Sequence, residues 1–161
     1  LGGIVAGKDK IVHIKPHGAM YNQAAKNKDL ANAIVDAIID YNKDLILLAL
    51  SGSKMIDSAR EKGVKYASEV FADRAYEADG SLRARSLENS MITDEDLAVE
   101  RVIKMVKTGK VTAYTGEEID IEAHSVCVHG DSEKAFVFVQ KLNEAFSKNG
   151  IETVGLIEAI K

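Results

Sequence analysis

The sequence predicts an α/β protein made of repeated strand and helix units. Short apolar runs alternate along the chain with amphipathic stretches whose apolar residues recur at helical spacing. Turn-forming residues follow these apolar runs. The length of 161 residues suits one domain with a sizeable core, so we expect residues 1–161 to form a single domain. This alternation is typical of a parallel sheet covered by helices.

The first two predicted units occupy the amino-terminal part of the chain. Residues 11–15 are a strand candidate, followed by a loop and by a helix from about residue 29 to residue 41. Residues 45–50 are a continuous apolar run, which is typical of a strand buried on both faces. Ser53 can cap the next helix, and Gly63 can end it because glycine adopts left-handed backbone readily.

A third strand and a long irregular segment come next. Residues 66–71 alternate in the manner of a strand. Residues 72–93 are rich in charge and are predicted to be irregular, with a turn at Asp79-Gly80. Asp94 predicts the start of a helix that ends near Gly109.

Four more elements are predicted in the last third of the chain. Residues 111–124 can form a small hairpin around Thr115-Gly116. We expect a fourth strand over residues 125–129 and a helix over residues 132–149. Residues 151–154 are the candidate for a last strand.

The composition and net charge of the chain limit the kinds of partner that we expect. The net charge is -4, which gives no electrostatic reason to expect nucleic acid. No apolar run approaches the ~20 residues of a membrane span and no signal peptide is recognisable, so we expect a cytoplasmic protein without membrane attachment. Cys127 is the one cysteine and excludes an internal disulfide. Its apolar neighbours predict a small buried side chain rather than a nucleophile.

Polar residues gather where the predicted strands end. The stretch IVHIKPHGAMYNQ holds the chain's one proline, Pro16, which fixes the turn between Lys15 and His17. Carboxyl ends of parallel strands meet at one edge in barrels and open sheets, so we expect four loops to form one candidate site. The loops are residues 15–18, residues 51–53, residues 69–74 and residues 129–132.

Three blocks of this chain resemble a known family. KPHGAMYNQ, SEVFADRAYEADGSLRARS and VCVHGDSEKA are similar to the matching blocks of the family of 5-oxoprolinase A subunits, also called the LamB/YcsF or lactam utilisation family. The resemblance runs through essentially the whole chain. It implies a hydrolase that opens 5-oxo-L-proline to L-glutamate with ATP hydrolysis, together with partner subunits B and C. It also implies a TIM-like (β/α) barrel of the glycoside hydrolase/deacetylase type.

The chain departs from this family in its length. Family members carry an upstream segment with motifs of the NCDxGE, HAGD and GAHP kinds, and none of these motifs occurs in the sequence. We therefore expect the carboxyl-terminal part of a longer, incomplete barrel. A partial barrel exposes strand edges and apolar surface, so we expect it to pair with the missing amino-terminal segment or with a second copy.

The implied substrate, 5-oxoproline, is a small anion with an unactivated amide. Its site needs a cation, a group that stabilises an oxyanion, and a base. Lys15 and Arg74 are predicted to hold anionic groups, although Arg74 can instead pair with Asp73 or Glu69 as scaffold. His17 is the first choice for a general acid or base because histidine titrates near neutral pH. The alternative is that His17 only fixes its loop.

Three carboxylates and a second imidazole complete the predicted machinery. Glu69 and Asp73 are predicted to serve as base or metal ligands, or else to brace their loop. His129 is predicted to contact the substrate and Asp131 to act in catalysis, unless Asp131 caps the helix that follows it. With His17 they can form a metal site of nitrogen and oxygen ligands. The presence of a divalent metal stays open.

The remaining polar residues have weaker assignments. Tyr21 and Asn22 are predicted to orient substrate or to anchor the loop before them. Residues 83–85 carry two arginines that can form a lid over anions. His13 and His124 are interpreted as non-catalytic.

ATP is implied by the resemblance alone. The phosphate-binding pattern GxxxxGK[ST] is absent from the sequence. We therefore expect partner subunits to activate the amide with ATP while this chain opens the ring. Two other classes stay open: a metal-dependent amidase or sugar deacetylase that uses the same residues, and a barrel fragment that only binds its ligand.

Overall fold

The computed structural model describes residues 11–130 and 135–161, and these residues form an α/β fold. Strands and helices alternate over most of the chain, as the sequence predicts. The elements are β1 (His13–Ile14), α1 (Gly18–Lys26), α2 (Lys28–Asn42), β2 (Ile46–Leu50), α3 (Lys54–Lys62), β3 (Tyr66–Phe71), α4 (Glu95–Thr108), β4 (Lys110–Thr112), β5 (Glu118–Asp120), β6 (Ser125–Cys127), α5 (Ala135–Lys148) and α6 (Leu156–Ala159).

The contacts divide the chain into two compact units. Unit 1 comprises Leu1–Ser68 and Leu156–Lys161, and unit 2 comprises Glu69–Gly155. The strand β3 begins in unit 1 and ends in unit 2. Whether residues 1–161 fold as one domain stays a prediction.

Unit 1 is built on the buried strand β2. All five of its residues are buried, and β2 pairs with β1 in parallel, with His13 opposite Ile46. The backbone N–H of Leu47 also donates to the carbonyl of Lys65, immediately before β3. A continuous apolar run is what a strand covered on both faces requires, and the prediction for residues 45–50 is confirmed. Leu156 and Ile160 pack against this core.

Two elements of unit 1 differ from the prediction. The loop expected before the second helix is itself a helix, α1, which buries Tyr21, Ala24 and Ala25 on one face. Pro16 and Gly18 hide this spacing of three and four residues, because both are usually turn signals. The first strand is shorter than residues 11–15, and both residues of β1 are exposed.

The helices of unit 1 begin and end with side chains that suit their positions. Asn27 is the N-cap of α2, and its side chain accepts from the N–H of Leu30 at 3.0 Å. Ser53 is the N-cap residue of α3, but its hydroxyl makes no capping hydrogen bond, so that part of the prediction is wrong. Gly63 ends α3 with a φ of 68°, as predicted.

Unit 2 combines a parallel strand pair with two packed helices and a hairpin. The end of β3 pairs with β6 in parallel, with Glu69 opposite Ser125 and Phe71 opposite Cys127. The helices α4 and α5 pack on each other. The strands β4 and β5 form the predicted antiparallel hairpin. The buried core of unit 2 consists mainly of Ala98, Val102, Met105, Val111, Phe138 and Leu142.

The predicted ends of α4 are confirmed. The carboxylate of Asp94 accepts from the N–H groups of Asp96 and Leu97, both at 3.0 Å. Gly109 follows the helix with a φ of 63°, and its N–H donates to the carbonyl of Met105. An aspartate at the start and a left-handed glycine at the end satisfy backbone groups that the helix leaves unpaired.

Three predictions in unit 2 need correction. Residues 151–154 form no strand, because the N–H of Ile151 donates to the carbonyl of Phe146 and closes α5. The strand β6 ends at Cys127, two residues earlier than predicted. Cys127 is half-buried rather than buried. The predicted start of α5 at Ser132 lies outside the described residues.

No helix in the described part of the chain has both the length and the apolar composition needed to cross a membrane.

We predict that Asp94→Ala lowers the free energy of unfolding by about 1 kcal/mol, because two N–H groups of α4 lose their acceptor. Urea unfolding measures this change. Glu100→Ala, at an exposed position inside the same helix, is the matched control and should change the free energy by less than about 0.5 kcal/mol. Equal losses in both variants would show that the cap is not the cause.

Candidate functional site

An aspartate and a histidine meet beyond the ends of β3 and β6. Asp73 lies two residues after Phe71, and His129 lies two residues after Cys127, the residue paired with Phe71. Because the strands are parallel and in register, both side chains emerge at the same level. Asp73 Oδ2 and His129 Nδ1 are 2.7 Å apart, a short hydrogen bond. The side chains are 23% and 29% exposed, so water screens the pair only in part.

Arg85 contacts the other side of the His129 ring. Its Nη2 lies 3.3 Å from His129 Nε2. A guanidinium can only donate, so Nε2 accepts and the ring proton lies on Nδ1, where it is donated to Asp73. The Phe71 ring lies 5.9 Å from the His129 ring and packs against it. The contacts thus favour one tautomer and one orientation of His129.

A cavity of about 260 Å³ lies beside this pair, within unit 2. Asp73 and His129 contribute to its wall, and the rest of the wall is mainly apolar. Its apolar lining consists of Met91, Ile92, Ala98, Val128, Ala135 and Phe138. An apolar pocket with a few polar groups directed at it is the usual form of a small-molecule site.

The two oxygens of Asp73 differ in their contacts. Oδ2 accepts from His129, while Oδ1 is buried and has no hydrogen-bond partner among the described residues. A buried acceptor left unpaired costs free energy, so it usually has a role.

The positions of Glu69 and Arg74 differ from those of this pair. Glu69 is only 2% exposed and lies inside β3, opposite Ser125, rather than beyond the strand end. Arg74 is 5% exposed, and it donates to the carbonyls of Arg83 and Ser90 at 2.5 Å and 3.4 Å. Burial lowers the pKa of the Arg74 guanidinium. These contacts brace residues 72–93, and substrate binding by Arg74 stays a prediction.

Arg83 also braces this segment. Its guanidinium forms an ion pair with Glu77 at 2.9 Å and lies 3.6 Å from the ring centroid of Tyr114. Its Nε donates to the carbonyl of Glu88. Arg83 thus makes three contacts in this structure, and the lid over residues 83–85 stays a prediction.

Tyr76 holds the carboxyl end of β3 and was not identified from the sequence. Its side chain is fully buried, and its hydroxyl accepts from the N–H of Phe71 at 2.9 Å. Burial raises the pKa of Tyr76, so the hydroxyl stays protonated. Arg101 donates to the carbonyl of Arg74 at 3.3 Å. Tyr76 and Arg101 together fix the backbone on both sides of Asp73.

Four other predicted site residues lie in unit 1. Lys15 Nζ is 5.4 Å from the ring centroid of Tyr21, which is buried. His17 is exposed and precedes α1 without a side-chain cap. Asn22 is exposed and donates to the carbonyl of Gly18 at 3.2 Å. Tyr21 and Asn22 therefore help to hold α1, and their predicted contact with substrate stays a prediction, as do the roles of Lys15 and His17.

Metal binding stays unresolved, and the catalytic role of Asp131 stays a prediction. Asp131 lies outside the described residues. In the part of the chain that the structure describes, no group of three or more His, Cys, Asp or Glu side chains could hold a metal ion. The predicted meeting of the four loops in one site is likewise still a prediction.

Comparison with known proteins identifies the family. The profile of the LamB/YcsF family matches residues 3–161. The chain belongs to the LamB/YcsF family. The predicted resemblance is therefore confirmed, and it accounts for the three sequence blocks that carry Lys15, Asp73 and His129.

Relatives of this LamB/YcsF chain include proteins named as the A subunit of 5-oxoprolinase. The chain is 54% identical to the one from Clostridium beijerinckii over 147 residues, which are 91% of this chain and 58% of that protein. It is 50% identical to the one from Campylobacter jejuni subsp. doylei, over 97% of this chain and 62% of that protein. The chain thus spans about three fifths of the length of these relatives.

A solved structure supports the fold. The crystal structure of a lactam utilization protein from Thermus thermophilus matches 88% of this chain and 56% of that one, with a TM-score of 0.79 and 35% identity. The α/β class with a parallel sheet is therefore confirmed.

We predict that Tyr76→Phe lowers the free energy of unfolding by about 1–3 kcal/mol, because the buried N–H of Phe71 loses its acceptor. Chemical denaturation followed by circular dichroism measures the loss. Tyr41→Phe removes an exposed hydroxyl and serves as the control. If both variants unfold at the wild-type midpoint, the hydrogen bond to Phe71 does not stabilise the strand end.

Proposed function

We propose that this chain is part of an ATP-dependent 5-oxoprolinase and that Asp73 and His129 act together on the cyclic amide. The observation that carries the proposal is that His129 contacts both Asp73 and Arg85, and that Asp73 and His129 line an apolar cavity. The names of the relatives supply the substrate class. The enzyme is then a hydrolase that converts 5-oxo-L-proline and water to L-glutamate.

His129 is suited to act as the general base. Its Nε2 carries a lone pair, because the ring proton lies on Nδ1 and is held by Asp73. Nε2 can take a proton from water as that water attacks the lactam carbonyl. The imidazolium that results is stabilised by the Asp73 carboxylate, and it can return the proton to the ring nitrogen as the C–N bond breaks. Asp73 therefore acts through His129.

Arg85 is suited to receive an anion at the same site. Its side chain is exposed, and its contact with His129 is long enough to exchange for a charge-assisted bond to a carboxylate. The substrate carboxylate or a phosphate would draw the guanidinium away from Nε2 and leave that nitrogen free to accept a proton. Lys15 is a second cation with this predicted role, and His17 is a second acid or base.

The coupling to ATP follows from the chemistry of the substrate. An unstrained amide is a weak electrophile, and phosphorylation of its oxygen would activate it for ring opening. We propose that partner subunits B and C perform this activation, so that ATP is a substrate of the assembly. We also propose a TIM-like barrel of the deacetylase type and a cytoplasmic location; the parallel pairs β1–β2 and β3–β6 support the barrel.

The experiment is to supply the native assembly with 5-oxoproline and ATP and to measure glutamate. Retained activity after removal of divalent ions other than the magnesium bound to ATP would oppose a metal-dependent amidase. Absence of glutamate formation from a folded assembly would overturn the proposed function.

We predict that His129→Gln lowers the turnover number about 10²- to 10⁴-fold, because a general base is lost while the shape of the site is kept. The steady-state rate of glutamate formation measures this effect. His124→Gln is the matched control; His124 belongs to the same unit and lies 3.7 Å from Glu122. Turnover within about threefold of wild type in the His129 variant would refute the role of His129.

A further inference from the structure

The cavity beside Asp73 and His129 has a polar group that the proposed chemistry does not use. Asp73 Oδ2 holds the histidine, but Oδ1 is buried without a partner in residues 11–130 and 135–161. A carboxylate oxygen can only accept a hydrogen bond. The cavity therefore favours a ligand that brings a donor, an N–H or an O–H, to this oxygen.

The charges around the cavity exclude one orientation of an anionic ligand. Glu95 is the second carboxylate on the cavity wall, and Lys141 forms an ion pair with it at 2.9 Å. Hydrogen bonds to Glu95 and Asp96 raise the pKa of Lys141, so this cation is already engaged. Glu95 is compensated by Lys141, but a ligand carboxylate directed into the cavity would still face Asp73 Oδ1 and would be repelled. The anionic end must lie on the side of His129 that Arg85 occupies.

The rest of the wall suits an uncharged ring. Met91, Val128 and Phe138 present apolar surface to the cavity. Methylene groups of a small ring would be buried against these side chains, and each gains free energy by leaving water. A ring with one N–H, two methylene groups and a carboxylate outside would match the three parts of the site.

We propose that this cavity binds the ring of a small cyclic secondary amide, whose N–H donates to Asp73 Oδ1 while its carboxylate lies toward Arg85. This inference rests on the proposed function and assigns Asp73 a second task. One oxygen orients His129, and the other binds the ring nitrogen. The nitrogen that leaves during ring opening is thereby held by the residue that orients His129.

The test compares two ligands that differ in the N–H alone. 5-Oxoproline is the first, and 3-oxocyclopentane-1-carboxylate, in which a methylene replaces the N–H, is the second. Calorimetric titration of the native assembly without ATP gives the two dissociation constants. We predict that the wild type prefers 5-oxoproline about 10- to 100-fold, as expected for a hydrogen bond to a charged acceptor.

Asp73→Asn is the decisive variant. The asparagine oxygen can still accept from His129, which leaves the amide NH₂ in the place of Oδ1. A donor then faces the N–H of the ligand, and we predict that the preference for 5-oxoproline falls below about threefold. Ala135→Leu should weaken both ligands at least 10-fold by filling the cavity, whereas Ala145→Leu on the same helix should not.

The outcomes separate the two proposals. If the wild type binds both ligands equally, or if Asp73→Asn keeps the full preference, the inference is overturned while the proposed function stands. If Ala135→Leu binds like the wild type, the ligand lies elsewhere and the inference again fails. If the wild type neither binds 5-oxoproline nor converts it with ATP, the proposed function fails and the inference fails with it.

Discussion

The parallel register between β3 and β6 is the constraint on which the candidate site depends. Phe71 is opposite Cys127, so the residues two positions further along, Asp73 and His129, emerge together. A shift by one residue would turn one of these side chains to the opposite face and break the 2.7 Å bond. The backbone hydrogen bonds between β3 and β6 therefore determine which side chains meet at the candidate site.

Hydrogen bonds within the irregular segment between β3 and α4 fix the backbone around Asp73. Tyr76 binds the backbone at Phe71, and Arg74 and Arg83 hold the carbonyls of residues further along the segment. The buried Arg74 and the partly buried Arg83 donate to carbonyls and so replace the ladder of hydrogen bonds that a strand would have. Arg85 lies within this segment, is exposed and reaches His129. We propose that it exchanges this contact for an anion.

Sequence patterns predicted most of the fold because its elements are local. The run of residues 45–50, the cap at Asp94 and the glycine at Gly109 each depend on neighbours along the chain. The site was predicted only in part. Asp73 and His129 were named from their positions after strands, but their pairing depends on a register between residues 56 apart. Tyr76 and the cavity carry no local signal, since their roles depend on tertiary contacts.

The most direct test of the account is a double-mutant cycle at Asp73 and His129, measured as the turnover number of the native assembly at saturating 5-oxoproline. At saturation, the proposed binding of the ring nitrogen by Asp73 affects KM rather than the measured rate. Asp73→Ala, His129→Gln and the double variant are compared with the wild type. If Asp73 acts through His129, the double variant is about as slow as the slower single variant, because the second change removes a group that has already lost its function. Losses that multiply would contradict the account, since the two residues would then act independently.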